Sequence, residues 1–178
     1  LFVLAAVSGY IHHKDINTMH KVPELSYLSE YPVVDPEVKI VAAYQKARYS
    51  NIAIEIAELQ AEILVRAARK YNIPVPLVVG VADQESMFDA RNTSSAGAAG
   101  LLQILSLEGI VIDQKRKYDL EYNVDTGCRG LLIKYKKAGG NWSKALAFYS
   151  GFAKDYDKNV YERMGRYTMF KEGYQTRL

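Results

Sequence analysis

Val75-Pro76-Leu77-Val78-Val79-Gly80-Val81-Ala82-Asp83-Gln84-Glu85-Ser86 is the stretch on which the fold turns. Proline suits the first turn of a helix, where its missing N–H is not needed, and an apolar run follows up to Ser86. Leu77, Val78 and Val81 lie eight, seven and four positions before Glu85, so a helix puts all four side chains on one side. Glu85 then ends an apolar stripe. A carboxyl there loses water, which disfavours its charged form and raises its pKa toward the range where it donates a proton near neutrality. Taken alone, a glutamate at a helix end is also what a solvated terminus or a local ion pair looks like.

Downstream, Phe88-Asp89-Ala90 leaves the helix, and residues 92–100 form a loop of Asn, Thr, Ser, Ala and Gly leading into Leu101-Leu102-Gln103-Ile104. Small residues let a bulky ligand approach the backbone. A helix beginning near Gly100 would offer free amides to it, and Gln103 adds an amide donor and acceptor. Upstream, Asp35-Pro36 signals a helix start, with the helix running from about Glu37 to Ala47. Ile52, Ile56, Leu59, Ile63 and Ala67 recur at three- or four-residue steps, predicting an amphipathic helix that ends near Asn72. Further helical signals cover Asp125 to Lys137, Ser143 to Tyr149 and about Lys154 to Phe170, broken at Gly139-Gly140 and near Gly151. Ile110 to Ile112 is the one stretch with a short strand's pattern. The class is mainly α.

With 178 residues, 49% of them hydrophobic, the chain fills one substantial core and is short for two. We expect an N-terminal extension over 1–50 and a folded domain over 51–178. Residues 1–34 lack a sustained period and read as a segment that wraps the domain or docks on another chain. Its first seven residues are apolar but too few to span a bilayer, and read as packed on the domain or a partner. A formal charge of +3 is too mild to call for nucleic acid. The lone Cys128 cannot form an internal disulfide, and its spacing from Val124, Leu131 and Leu132 reads as core filler. His12, His13 and His20 do not make a metal site by themselves; no metal and no organic cofactor is expected. Lys115-Arg116-Lys117 and Lys134 with Lys136-Lys137 read as solvated faces able to attract carboxylates. Trp142 reads as a loop anchor.

Three motifs carry a resemblance: Glu85-Ser86; then Gly97-x-x-Gly100-Leu101-Leu102-Gln103-Ile104; then Ala147-Phe148-Tyr149-Ser150-Gly151. In this order, with Gln103 eighteen positions after Glu85, they resemble the signatures of lytic transglycosylases of the soluble (SLT) type, a goose-lysozyme-like group. Lys70-Tyr71-Asn72-Ile73-Pro74, Asn123-Val124-x-x-Gly127-x-x-Gly130-Leu131-Leu132 and Tyr156-x-x-x-Val160 also look like the family, and the likeness runs over about residues 51–165. It implies a lysozyme-like fold. By position, Glu85 matches the catalytic glutamate and Ser86 the serine that helps hold the site. Gly100 belongs to the second motif, where Leu102 and Gln103 match the sugar-contacting methionine and glutamine. Tyr149 matches the tyrosine whose hydroxyl lies near the glutamate, and Tyr156 a further cleft tyrosine. Leu102 for methionine preserves volume; Ser150 for asparagine retains only part of an amide's bonding capacity.

The resemblance implies cleavage of the β-1,4 bond between N-acetylmuramic acid and N-acetylglucosamine in peptidoglycan glycan strands, leaving a 1,6-anhydro end. It places the protein at the bacterial cell envelope or in a phage virion. One carboxyl suffices for that chemistry because the nucleophile belongs to the substrate, unlike the two-carboxylate glycosidases. A hydrolase using water would want a second carboxylate, for which Asp83, Asp89, Asp113, Asp119 and Asp125 are available. A third reading is a virion or secretion-machine component that keeps the shape and docks through residues 1–34.

Overall fold

The computed structural model describes residues 35–176, which belong to one compact unit. The expectations for residues 1–34, including the three histidines, lie outside the described residues. Six helices follow one another: α1 (Pro36–Arg48), α2 (Ile54–Lys70), α3 (Val75–Ser86), α4 (Leu120–Lys137), α5 (Trp142–Tyr149) and α6 (Tyr156–Gln175). Among the described residues there are no strands, only isolated bridges. The mainly α expectation holds. The short strand does not form: Ile110 makes a single bridge to Leu107.

Local chemistry explains the helix starts. The Asp35 side chain accepts from the Glu37 amide at 2.9 Å, with Pro36 at the first helical position. Asp119 caps α4 through the Tyr122 amide at 2.8 Å, and Asn141 caps α5 through the Lys144 amide at 2.9 Å. α3 stops because Met87 and Phe88 both turn left-handed, at φ 53° and 62°.

α3 is the central element, buried from Leu77 to Asp83 without a break. α6 packs closely along it. A Cβ on Gly80 would stand 3.0 Å from the Val160 carbonyl oxygen and 3.1 Å from the Met164 nitrogen, so the missing side chain permits this approach. α1 lies on α2 and α6, with Tyr44 set edge-on to Tyr167, Phe170 and Phe88 in the core. Cys128 is fully buried on α4, as core filler should be, and Trp142 stacks on Tyr135 at 4.1 Å.

α2 departs from its expected stripe. Ile63 and Ala67 are buried, but Ile56 and Leu59 are each 48% exposed, while Ala57, Gln60, Ala61, Leu64 and Ala68 form the inner face. Small alanines let α2 approach its neighbours closely, so the packed face is not the one with the largest side chains. Among the described residues, no helix is long and apolar enough to cross a membrane.

Candidate active site

Glu85 sits in the last turn of α3, one residue before the helix ends in the left-handed Met87 cap. Its backbone carbonyl lies 3.5 Å from Asn92 Nδ2, which begins to fold the following loop back across the helix end. The Tyr156 hydroxyl, at the start of α6, donates to Glu85 Oε1. Loss of water pushes the carboxyl up to about 7, and the Tyr156 hydrogen bond opposes that rise by favouring the charged form. Desolvation wins. At neutral pH the group therefore divides its time between holding and releasing a proton, as a single acid/base requires. Tyr156 keeps its own proton, because burial and the adjacent Glu85 charge both hold its pKa well above the ordinary phenol value.

Residues 87–119 connect α3 to α4 without a helix. The expected helix near Gly100 is replaced by a turn at residues 100–103, closed by paired bonds between Ala99 and Ile104 at 3.0 and 3.1 Å. The cause is Asn123 of α4. Its Oδ1 accepts from the Leu102 amide, while its Nδ2 donates to the Ala99 and Lys117 carbonyls, all at 2.8 Å. The amide that a helix start would leave free is thus taken. Gly100, at φ 77°, fits against this hub; a Cβ there would stand 2.3 Å from Asn123 Nδ2.

The other expected site residues gather around this turn with different tasks. Ser86 is buried and its hydroxyl donates to the Leu101 carbonyl at 2.9 Å, fastening the turn to the end of α3. Leu102 is fully buried, packed on Gly127, where a Cβ would be 2.6 Å from Leu102 Cδ1. Gln103 adopts a left-handed backbone at φ 46° and uses Nε2 to bridge the Asn92 and Gly100 carbonyls, at 3.0 and 2.9 Å. Tyr149 donates to the Leu102 carbonyl at 2.8 Å, so the direct bond to Glu85 belongs to Tyr156 instead. Tyr149 still feels the glutamate: burial first, then the Glu85 charge, hold its pKa high. Ser150 spends its hydroxyl locally, donating to the Ala147 carbonyl and accepting from the Ala153 amide, both at 3.2 Å.

Each of the five aspartates that could serve as a second carboxylate accepts at least one hydrogen bond, and only Asp83 is fully buried. Asp83 is two positions before Glu85, hence on the far side of α3, and fully buried. It accepts from Tyr44 at 3.0 Å and Tyr49 at 2.6 Å, with Arg163 Nε at 3.6 Å. Asp89 and Asp113 each accept a backbone amide two residues on, at 2.9 Å. Asp119 caps α4, and Asp125 binds Lys70 and Tyr71. Among the described residues no group of three or more His, Cys, Asp or Glu is placed to hold a metal.

Sequence reading undervalued Asn123 and Asp83. A polar residue on the core face of a helix is the signal for each: Asn123 stands beside Val124 in α4, and Asp83 lies inside the apolar run of α3. Burial of such a group is tolerated only when partners are waiting.

Comparison with known proteins agrees with this geometry. A stretch of 90 residues is 30% identical to a protein named Transglycosylase from Enterobacteria phage PRD1, covering 51% of this chain and 34% of the phage protein. Residues 62–167, which run from the middle of α2 through most of α6 and include Glu85, Asn123 and Tyr156, match the family described as Transglycosylase SLT domain. The chain belongs to the SLT transglycosylase family.

Proposed function

We propose that this chain is a peptidoglycan lytic transglycosylase in which Glu85 is the single acid/base. The observation that carries the reading is a desolvated carboxyl at about 7, bonded to a tyrosine that retains its proton. Protonated Glu85 gives its proton to the oxygen leaving C1 of N-acetylmuramic acid. The resulting carboxylate then takes the proton of that sugar's C6 hydroxyl, whose oxygen bonds to C1 and closes a 1,6-anhydro ring. Bond broken and bond formed share the same carbon, and Glu85 ends as it began.

Tyr156 holds one carboxylate oxygen, leaving the other for the substrate. Ser86, Asn123 and Gln103 fix the turn that follows the acid, so these residues need little reorganisation when a strand binds. The hydrolase reading asks for a carboxylate to activate water, and Asp83, the aspartate nearest in sequence, lies on the far side of α3 with both oxygens bonded, which favours the intramolecular route. Action on the glycan strand puts the work at the bacterial envelope, and the phage relative is consistent with delivery by a virion.

Mass analysis of muropeptides released from purified sacculi tests the reading. Wild type should release anhydro-ended products, and Glu85→Gln should lower the rate by about 100-fold or more. Reducing ends would show a hydrolase, and an inert wild type would leave only a docking role.

A further inference from the structure

The segment joining α5 to α6 exposes an aromatic ring where folding gives no reason for one. Phe152 is 71% exposed, and its backbone is left-handed at φ 66°, a conformation unfavourable for a bulky side chain. It follows Gly151 at φ 65°, and its amide donates to the Ala147 carbonyl at 2.7 Å, which locks the turn. Phe148 meets the ring edge-on, with centroids 5.5 Å apart and planes at 79°. Lys137 Nζ also lies over the Phe148 ring, 5.9 Å from its centroid. Phe152 thus has, among the described residues, one aromatic contact and is otherwise largely exposed. Among the described residues, Phe152 is the aromatic residue that combines a left-handed backbone with a largely exposed ring, and such local strain clusters at ligand contacts.

The connections of this segment give the ring its place. Tyr149, which closes α5, bonds the turn that carries Gln103, and Tyr156, which opens α6, bonds Glu85. Phe152 lies between these tyrosines, with no more than about 14 Å of extended chain between it and Tyr156. Residues 151–155 are all exposed, so among the described residues nothing covers the ring.

We propose that Phe152, backed by Phe148, is a stacking platform for a pyranose ring of the glycan strand, next to the sugars Glu85 acts on. The apolar C–H face of a pyranose suits the negative face of an aromatic ring, and release of water from both adds to the contact. This rests on the glycan-strand reading above but concerns binding, not proton transfer.

The two are separable. In a Glu85→Gln background, which binds without cleaving, affinity for peptide-free glycan strands is measured by co-sedimentation for Phe152, Phe152→Gly and Phe152→Trp. Glycine is at ease in a left-handed turn, so Phe152→Gly should melt at the same temperature or up to about 4 °C higher while binding about tenfold more weakly. Phe152→Trp should bind within about threefold of the parent. In the active enzyme Phe152→Gly should raise KM by a similar factor with kcat nearly unchanged.

Equal binding by Phe152→Gly, a lowered Tm, or no affinity for strands in the parent would overturn the platform. So would loss of binding to phosphatidylglycerol vesicles in place of strands, which would make the ring a membrane contact. Failure of the catalytic reading looks different: wild type would release no muropeptide, while strand binding still depended on residue 152.

Discussion

The acid of Glu85 is set by two opposed influences of unequal size. Burial lifts its pKa to about 7, and one hydrogen bond from Tyr156 pulls it back. The protonated form is the one that donates, so activity should fall as pH rises through that value. Removing the Tyr156 hydroxyl withdraws a bond that favours the charged form, and the pKa must rise further. Tyr156→Phe should therefore carry the descending limb of the kcat/KM profile to higher pH, by roughly one unit if the bond is worth about 1.4 kcal/mol. An unmoved or acid-shifted limb would contradict this assignment. The stripe of Leu77, Val78 and Val81 behind Glu85 was readable at this scale, because helical spacing alone brings them together. Which tyrosine reaches the carboxyl was not: Tyr149 and Tyr156 both lie more than sixty positions away in sequence, and only the packing of α5 and α6 decides between them.

At the scale of elements, the turn at 99–104 shows why the helices were legible, though α4 begins at Leu120 rather than Asp125 and α6 runs on to Gln175 rather than Phe170, and this segment was not. Helix starts are written in neighbouring residues such as Asp35-Pro36. The turn is dictated from a distance, by Asn123 claiming the Leu102 amide that a helix would have left free. α2 carries the same lesson in its packing: its periodic Ile56 and Leu59 face solvent, because alanines permit a closer helix contact than the larger side chains do. Gly100 is where element and partner meet. Gly100→Ala adds a carbon 2.3 Å from Asn123 Nδ2 at a backbone φ of 77°. It should cost about 2 kcal/mol or more and lower kcat, since the turn passing Glu85 must shift. Thermal melts and turnover on sacculi check both halves.

For the whole molecule, Asp83 joins three helices at one point. Tyr44 of α1 and Tyr49 just beyond it both donate to its carboxylate, and Arg163 of α6 approaches from the other direction. Sequence offered Asp83 as one of five available carboxylates. Its partners are 34, 39 and 80 positions away, which is why its actual task could not be seen. Asp83→Ala leaves two phenol hydroxyls and a partly buried guanidinium without their acceptor. The variant should lose about 3 kcal/mol in urea unfolding, read as a lower midpoint at unchanged slope.

The closeness of α3 and α6 at Gly80 reaches further than packing. Tyr156 rides on α6 and Glu85 on α3, so the same seam that lets two backbones nearly touch also holds the hydroxyl against the carboxyl. Should α6 lift away by the width of one solvent molecule, the carboxyl would hydrate, become an ordinary surface acid and stand ionised at neutrality. The reagent would be spent before the protein had unfolded, and inactivation on heating should precede loss of helix.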